Sequence, residues 1–391
     1  MKPLEGVTIL EFSTMVTASF AAMMMGEQGA DVIKVEPIEM GDPLRYIGTG
    51  KGGISALFAN CNRGKRSIRV NLKCSEGVDI IRHLASTTDV VIHNFRPGVM
   101  EGLGLGSDTL RSLNPKLIYM AISGFGKQGP LGGAPAYDPV IQAHAGFTAS
   151  QGRGEPVFVR NLMCDKITAY TACQAVTAAL YQREKSGTGQ HIDLSMLDAG
   201  LFFLFPDAFM NHTLLDEDVS IRPLLADLLY DLTPTADGAI TMSAGTEKQQ
   251  MGVLRAIGRE DLRDDERFAT DEAFAANVET YRSILKDGFA RMSTAEALRA
   301  LADNDVPAAR CHDHEEVLSQ AQFESNESLL TRRHPLMGEM RVMRSPPRFE
   351  GELAEPGHHS PAHGEHTREV LEAFGFDAPT IDALCESQVV A

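Results

Sequence analysis

The sequence predicts an α/β protein with a mostly parallel sheet, followed along the chain by a smaller α+β region. Strand-like apolar runs alternate with helical patterns through the first half of the chain. Such alternation is typical of parallel sheets with helices on both faces. The chain has 391 residues, which exceeds one ordinary core, since a domain averages roughly 150 residues. We therefore expect two or three domains.

The first half of the chain contains six strand-like runs and several helical segments, taken here in order. The runs are rich in Val and Ile, as buried parallel strands are. The last long helix lacks charged residues between Lys166 and Arg183, so we expect it to be buried nearly all round. Strands are predicted at 6–12, 30–36, 65–72, 89–95, 116–125 and 191–197, and helices at 18–28, 75–86, 161–185 and from 198 to 210.

The second half of the chain changes character. A poorly periodic stretch at 211–230 is interpreted as a linker, after which an Asp-Gly turn separates two short strands. Helical patterns follow at 246–258, 272–292 and 294–304, and the chain is then rich in Pro, Gly and His before a final helix. We assign 1–210 to the large domain, 231–320 to the small domain and 321–391 to a segment returning to the large one.

Composition excludes several classes of protein. Hydrophobic residues make up 43% and charged residues 23%, which are values of folded globular chains. The net charge of −17 argues against nucleic acid or an anionic membrane as partner. The six cysteines form no CxxC pair and no metal-ligand spacing, so we expect no metal and a reducing compartment. Without a signal-like start or a long apolar run, the protein is predicted to be cytoplasmic.

Asp165 stands at the start of the long apolar helix and has two possible roles. It could cap the helix, because Asp is strongly preferred at helix starts. It could equally be a nucleophile, since the positive end of a buried helix keeps a carboxylate ionised and apolar surroundings exclude water. Cys164 is a second candidate nucleophile, although buried packing is the commoner role of a free cysteine.

Other segments suggest ligand binding at the sheet edge. The stretch "HNFRPGVMEGLGL" follows a strand, and Asn94 and Arg96 could bind phosphate or amide groups there, unless it is an ordinary turn. The glycine-rich stretch 123–146 is predicted to approach a ligand with its backbone, and the N–H groups of 124–133 are candidate donors to an oxyanion. Glu36 ends the second strand as a ribose-binding acid would, but no G-x-G-x-x-G is present, so NAD is not expected. The histidines of "GHHSPAHGEH" lack diagnostic spacing and are interpreted as a solvated loop.

Several segments together resemble one family, the class III CoA-transferases, also called the CaiB/BaiF family. It includes formyl-CoA transferase and crotonobetainyl-CoA:carnitine CoA-transferase. The resemblance runs in family order from Leu4 to Phe376 and so covers nearly the whole chain. The matching segments include "PLEGVTILEFS", "GADVIKVEP", "NRGKRSIRVNLK", "DVVIHNFRPGVMEGLGL", "GPLGGAPAYDPVIQA", "REKSGTGQHIDLSMLDA" and "GEHTREVLEAFGF".

The resemblance implies an enzyme that moves coenzyme A from an acyl-CoA donor to a carboxylic acid through a covalent aspartyl-CoA intermediate. CoA esters would be substrates, with no tightly bound cofactor. It also implies a Rossmann-like large domain and an interlocked homodimer. The position matching the family nucleophile is Asp165. The positions matching the coenzyme site are Leu72, Lys73, Asn94, Phe95, Arg96, Pro97 and Gly98, with Tyr137 near the thioester.

Departures from the family pattern keep alternatives open. The first loop reads "TMVTASFAA" where many members have Gly-Pro, and no clear match exists for the glycine-rich flap of formyl-CoA transferase. A racemase branch of the fold uses a histidine before an aspartate, but here "PAYDP" places Tyr137 before Asp138, which favours acyl transfer. A third hypothesis is that the protein binds CoA esters without catalysing a reaction.

Overall fold

The computed structural model describes residues 2–152, 154–353, 355 and 357–391. The chain forms two compact units, and the larger one joins the residues up to Phe205 with Glu324–Ala391. The smaller unit is Pro206–Phe323. No helix in the described part of the chain combines the length and the apolar character needed to cross a membrane.

The first half of the chain supplies eight strands and nine helices among the described residues. The strands are β1 (Thr8–Phe12), β2 (Asp31–Glu36), β3 (Gly50–Lys51), β4 (Ile54–Ser55), β5 (Arg66–Arg69), β6 (Val90–His93), β7 (Ile118–Ser123) and β8 (His191–Ser195). The helices are α1 (Thr17–Glu27), α2 (Ala56–Asn62), α3 (Ser75–Ala85), α4 (Val99–Gly102), α5 (Ser107–Leu113), α6 (Asp138–Ala145), α7 (Phe147–Gln151), α8 (Met163–Ser186) and α9 (Met196–Ala208).

Six of these strands form one sheet in which every pairing is parallel. The order is β5-β2-β1-β6-β7-β8, so in chain order the strands run 3-2-1-4-5-6, the arrangement of doubly wound folds. Ile9 in the central β1 pairs with Val32 on one side and Val90 on the other. The predicted parallel α/β sheet and all six predicted strands are confirmed.

Helices cover both faces of the sheet, because strands buried on both sides need apolar partners on both sides. On one face, alternate residues such as Ile9 and Met120 pack with α1 and α8. On the other face, Leu10 and Val91 pack with α3. The core is therefore divided by the sheet into two apolar layers.

The smaller unit has its own sheet and core. Its strands β9 (Thr233–Thr235), β10 (Gly238–Met242) and β11 (Ala308–Arg310) are antiparallel in the order β11-β10-β9. Its core is built around Ile240 and Phe289. Asp237 and Gly238 lie where the sequence predicted a turn between short strands. The helices are α10 (Leu225–Leu229), α11 (Glu247–Ala256), α12 (Asp271–Phe289), α13 (Thr294–Asp303), α14 (His314–Leu318) and α15 (Ala321–Ser325).

The end of the chain returns to the larger unit. Val370 and Leu371 are fully buried in the second apolar layer of the large sheet. The hairpin of β12 and β13 was not predicted, because its charged residues mask the strand pattern. The elements are β12 (Leu329–His334), β13 (Gly338–Met343), β14 (Arg348–Phe349), β15 (Glu352–Leu353), α16 (Thr367–Ala373) and α17 (Ala378–Glu386).

Two sequence predictions about helices were wrong. The glycine-rich segment 123–146 was predicted to be one long loop. In the structure the loop ends at Tyr137, and α6 begins at Asp138, where an Asp-Pro pair starts the helix. The helix containing Asp165 is not buried all round in the single chain, since Tyr170 is 56% and Tyr181 is 66% exposed. Its small residues face the sheet, whereas its tyrosines point outward.

Candidate active site

A cavity of 340 Å³ lies at the carboxyl ends of β1, β6 and β7. Doubly wound sheets bind ligands at this edge, where the strand order reverses. The walls come from the loop after β1, residues 94–97 after β6, the loop after β7 and the start of α8. The volume is at the lower end of the ~300–1,000 Å³ usual for small-molecule sites.

Asp165 lies in this cavity, but it does not cap its helix. α8 begins at Met163, and the cap position is Leu162, which makes no side-chain capping bond. The backbone N–H of Asp165 instead donates to the Asp138 carboxylate at 3.0 Å. The capping interpretation is therefore wrong, because the helix starts two residues before Asp165. A second aspartate, Asp138, accepts the hydrogen bond from a backbone N–H in the first turn of the helix. The carboxylate of Asp165 is left to point into the cavity.

The surroundings of Asp165 make its carboxylate more basic than usual. Burial raises its pKa from 3.8 to about 6, and the negative charge of Asp138 acts in the same direction. A hydrogen bond from the Thr17 hydroxyl and the charge of Lys166 partly oppose this. Desolvation therefore outweighs the hydrogen bond from Thr17 and the charge of Lys166. With a pKa near 6 the carboxylate is still mostly ionised at neutral pH.

Asp138 and Gln142 were not recognised from the sequence as site residues, although both are almost completely buried. The Gln142 amide donates to Asp138 at 2.6 Å and to the carbonyl oxygens of Val159 and Asn161. Together they hold the chain entering α8. The available signal was the spacing of an acid and an amide four residues apart after a Pro-rich loop, which places both on one helix face.

The loop after β1 forms the wall opposite the glycine-rich loop. Met15 adopts a left-handed conformation with φ of 65°, which is uncommon for a bulky residue. Its N–H donates to Asp42 at 3.0 Å. Asn94 holds the preceding residue, because its side chain accepts from the N–H of Thr14 at 3.1 Å and donates to the Thr14 carbonyl at 2.7 Å. The loop is thus fixed from two sides.

The segment predicted to bind coenzyme A lies partly in this cavity. Phe95, Arg96 and Pro97 line it together with Asn94. Gly98 lies just outside, with φ of 87° at the cap of α4. Among the described residues the Arg96 side chain has no hydrogen-bond or ion-pair partner. Its cation is therefore available to a ligand.

The remaining predicted residues lie at different distances from the cavity. Tyr137 lines it and is 66% exposed. Leu72 and Lys73 follow β5 at the same sheet edge but do not line the cavity. Lys73 is exposed and pairs with Glu39 at 2.9 Å. The structure thus brings Tyr137 to Asp165 and keeps the other two outside.

The glycine-rich loop after β7 supplies fewer free amides than expected. The N–H of Gly126 donates to the Ser123 hydroxyl at 3.1 Å, and that of Gly132 donates within the loop. These two groups are consequently not free oxyanion donors in this conformation.

The competing candidates have structural roles. Cys164 is fully buried, and burial raises the pKa of its thiol to about 12, so it is not a thiolate near neutral pH. Glu36 is buried, and although burial alone would raise its pKa, Arg45 lowers it to about 2. Both Glu36 oxygens accept hydrogen bonds from Arg45, at 2.8 and 2.6 Å, which leaves neither for a ribose.

The histidines of the C-terminal segment make structural contacts. His359 lies 2.9 Å from Glu365, and His363 lies 2.8 Å from the carbonyl of Pro37. Within the residues that the structure describes, no three His, Cys, Asp or Glu side chains are grouped as a metal site requires.

Fold and site together define a doubly wound α/β protein with a largely buried carboxylate of raised pKa at the strand-order reversal. Residues 4–367 match the model of CoA-transferase family III, and the chain belongs to this family. Succinate–glutarate CoA-transferase of Agrobacterium fabrum is 34% identical over 83% of this chain and 83% of its own length. Succinyl-CoA:glutarate CoA-transferase of Mus musculus is 31% identical over 100% of this chain and 91% of its own.

A solved structure agrees with this assignment. A crystal structure of a CaiB/BaiF family protein from Brucella suis superposes with a TM-score of 0.83, 29% identity, and coverage of 95% of this chain and 99% of that one. The family resemblance seen in the sequence is thereby confirmed. The protein is a CoA-transferase, and CoA thioesters are its substrates.

Proposed function

We propose that Asp165 is the nucleophile with which this CoA-transferase moves coenzyme A between an acyl-CoA and a carboxylic acid. The observation that carries this proposal is the position of its carboxylate. The group lies in the cavity at the sheet edge, while Asp138 satisfies the backbone of the helix start. Burial raises its pKa to about 6, so it is both ionised near neutral pH and a stronger base than an ordinary aspartate.

The reaction begins when a carboxylate oxygen of Asp165 attacks the thioester carbonyl carbon. The carbon–sulfur bond breaks, the electron pair leaves with sulfur, and a mixed anhydride remains. The CoA thiolate then attacks the Asp165 carbonyl carbon and expels the donor acid, which gives aspartyl-CoA. The acceptor acid repeats these steps in reverse order and leaves as the new acyl-CoA. No oxidant, metal or water takes part.

Coenzyme A would bind along the same sheet edge. The cavity suits the acyl thioester end but is small for a whole CoA molecule. We place the rest of the coenzyme outside it, with Phe95, Arg96 and Pro97 beside the thioester arm and Leu72 and Lys73 further along. The unpaired guanidinium of Arg96 supports this placement, because Arg binds phosphate and carbonyl oxygens well. Gly98 then provides the turn, and the exposed aromatic side chain of Tyr137 lies near the acyl group.

The acids exchanged are proposed to be dicarboxylates, one of them as its CoA thioester. This rests on likeness alone, since the relatives from Agrobacterium and mouse carry succinate, succinyl-CoA and glutarate in their names. The first loop differs from the usual family pattern, so the acyl preference within this class is left to experiment.

No observation favours a racemase. Proton exchange beside a thioester needs an acid–base pair, and no histidine is among the described residues that line the cavity. Tyr137 stands before Asp138 instead, and Asp138 is occupied as a hydrogen-bond acceptor from Asp165 and Gln142. A non-catalytic CoA-binding role would not require a buried carboxylate of raised pKa in the cavity, whereas a nucleophilic role does.

A homodimer with interlocked chains is proposed for the working enzyme. Large apolar side chains are exposed along the outer side of α8 and on α9, including Tyr170, Tyr181 and Phe203, and Phe202 is 81% exposed. Several large apolar side chains exposed on neighbouring helices are what a protein interface requires, which supports the proposal. We also propose that the larger unit acts as the CoA-binding domain and that 231–320 forms the small domain, with 211–230, at the start of the smaller unit, as the linker. A cytoplasmic location is also proposed, supported by cysteines that are free in the structure, as in a reducing compartment.

An exchange assay tests the proposed function. Purified protein is incubated with succinyl-CoA and a panel of mono- and dicarboxylic acids, and new thioesters are detected by mass spectrometry. Asp165→Asn should lose exchange by several orders of magnitude, as loss of a covalent nucleophile does in other enzymes (roughly 10⁶-fold). Cys164→Ala is the matched control and should keep most of the activity. Exchange by Asp165→Asn at the wild-type rate would refute the assignment.

A further inference from the structure

The Thr17 hydroxyl donates a hydrogen bond to Oδ1 of Asp165. Thr17 is the first residue of α1 and is only 3% exposed, so this donor is shielded from competing water. We propose that Thr17 is a second catalytic residue, which binds Oδ1 of Asp165 throughout the reaction and stabilises the oxyanion that forms on that atom. This inference rests on the proposed role of Asp165 as nucleophile.

The position of Thr17 is built by the loop before it. Met15 is held in its left-handed conformation by its hydrogen bond to Asp42. Asp42 is 1% exposed and pairs with Lys34 at 3.0 Å. A bulky non-glycine residue in this region is strained and persists only where its surroundings hold it. Strained residues of this kind cluster at functional sites. Here the strained residue, Met15, lies two residues before Thr17.

Asn94 fixes the same loop from the other side. Both polar atoms of its amide are used by the backbone of Thr14, one accepting and one donating. The family resemblance implied that Asn94 belongs to the coenzyme site. In this structure Asn94 lines the cavity, and its side chain also holds the loop that carries Thr17, so it acts as a positioning residue for Thr17.

The chemistry gives the hydrogen bond a different task at each step. While Asp165 is a free carboxylate, the bond to Oδ1 leaves Oδ2 as the oxygen that attacks the thioester carbon. In the mixed anhydride Oδ1 is the carbonyl oxygen of Asp165. When the CoA thiolate adds to that carbonyl carbon, the carbon–oxygen π electrons move to Oδ1, and the Thr17 hydroxyl faces the resulting negative charge. Expulsion of the donor acid through Oδ2 then restores the carbonyl, so Oδ1 never leaves the enzyme.

The electrostatics agree with this geometry. Burial and Asp138 raise the pKa of Asp165, whereas the hydrogen bond from Thr17 lowers it. Loss of the hydroxyl should therefore raise that pKa further above about 6. The carboxylate would then be protonated in a larger part of the enzyme at neutral pH and below.

Three variants test the inference on the full-length protein. Thr17→Val removes the hydroxyl at nearly constant shape, Thr17→Ser retains it, and Thr177→Val removes a hydroxyl from α8 far from the cavity. Single-turnover mixing with acyl-CoA gives the rate of the covalent adduct at Asp165 over a range of pH. Titration with CoA and thermal melting report binding and folding separately.

Thr17→Val should form the adduct roughly 100-fold more slowly, which is the usual effect of losing one oxyanion donor. The acid limb of its pH–rate profile should shift to higher pH, while its Kd for CoA should stay within a few-fold of the wild-type value. Thr17→Ser should recover most of the rate, and Thr177→Val should match wild type. A rate and pH profile of Thr17→Val equal to wild type would overturn the role of Thr17 alone. Absence of any adduct in wild type would overturn both this inference and the proposed nucleophile.

Discussion

The carboxylate of Asp138 accepts the backbone N–H of Asp165 at a distance of 3.0 Å. Two negatively charged side chains are thereby brought together at the start of a 24-residue helix. The arrangement separates two tasks that one aspartate usually combines. Asp138 completes the helix start, and its charge helps to raise the pKa of Asp165, which is left to react.

Asp138→Ala should destabilise the protein. The N–H of Asp165 would lose its acceptor in a buried place, whereas the Gln142 amide keeps the carbonyl oxygens of Val159 and Asn161. An unsatisfied buried group costs about 1–3 kcal/mol. The free energy of unfolding, measured in denaturant, should fall by that amount. Asp108→Ala is the control, since Asp108 is exposed in the first turn of α5 and should change stability by less than about 0.5 kcal/mol. Equal stability of the two variants would contradict the capping role of Asp138.

Asp165→Asn should make the protein more stable at neutral pH while abolishing activity. The folded pKa of about 6 exceeds the ordinary 3.8, so the folded state binds the proton more tightly. Ionisation therefore costs stability as pH rises from about 4 to 6, by at most about 3 kcal/mol at pH 7. The neutral amide avoids this cost. The stability difference between wild type and variant should be near zero at pH 4 and largest above pH 6.

A helix-capping role of Asp165 would predict a different result. Because Asn caps a helix about as well as Asp does, Asp165→Asn would then match the wild-type stability at both pH 4 and pH 7. Unfolding curves at pH 4 and pH 7 therefore distinguish the two roles. A less stable Asp165→Asn protein at pH 7 would contradict the burial argument.

Glu36→Gln should strongly destabilise the protein, because Glu36 forms a buried ion pair and does not bind a ribose. Glu36 and Arg45 form a pair in which each side chain is 1% exposed, and removal of one partner of a buried pair costs about 3–5 kcal/mol. Because Arg45 holds the folded pKa of Glu36 near 2, its stabilisation is present above pH 4.5 and is lost as pH falls toward 2. Glu39→Gln is the control, because the exposed Glu39 side chain pairs only with the exposed Lys73 and its loss should change the melting temperature little. A melting temperature of Glu36→Gln equal to that of Glu39→Gln would contradict the account.

Arg96→Ala should weaken acyl-CoA binding with little effect on the chemical step. A charged hydrogen bond contributes about 1.5–3 kcal/mol, which corresponds to an increase in Kd of roughly 10- to 100-fold. Isothermal titration with CoA measures the Kd, and single-turnover kinetics at saturation measures the chemical step. Arg66→Ala removes a cation that pairs with Asp31 outside the cavity and should leave the Kd unchanged. An unaltered Kd for Arg96→Ala would exclude it from the coenzyme site.

The dimer should not dissociate into folded monomers on dilution, because interlocked chains cannot separate without unfolding. Analytical ultracentrifugation over a wide concentration range should show one dimeric species whose unfolding depends on protein concentration. Phe202→Ser would weaken assembly by placing a polar group in the apolar surface of α9. A stable folded monomer of the wild-type protein would contradict this proposal.

The sheet could be predicted from sequence because its strands are short, buried on both faces and separated by helices. Val90, Val91 and Ile92 form one apolar run that only a central parallel strand accommodates. The hairpin of β12 and β13 could not be predicted in the same way, since it is largely exposed and its side chains alternate with charges. Strand patterns are readable where burial selects the residues.

The site was only partly predictable. Asp165 and the segment after β6 stood out through their position at a helix start and a strand end. The contribution of Thr17 was invisible, because it lies 148 positions from Asp165 along the chain. Asp138 was noticed for its neighbour Tyr137 and not for the hydrogen bond that it accepts. Contacts between distant segments depend on the fold, and local pattern does not record them.

The transfer of oxygen through Asp165 tests the central claim most directly. In the proposed reaction the attacking acceptor carboxylate leaves one of its oxygen atoms on Asp165 in every cycle. The enzyme is therefore turned over with an acceptor acid labelled with heavy oxygen, digested, and its peptides are weighed by mass spectrometry. The account predicts heavy oxygen in the peptide containing Asp165 and in no peptide of a parallel Asp165→Asn sample. Formation of the new acyl-CoA over many turnovers, with an unlabelled Asp165 peptide, would contradict it.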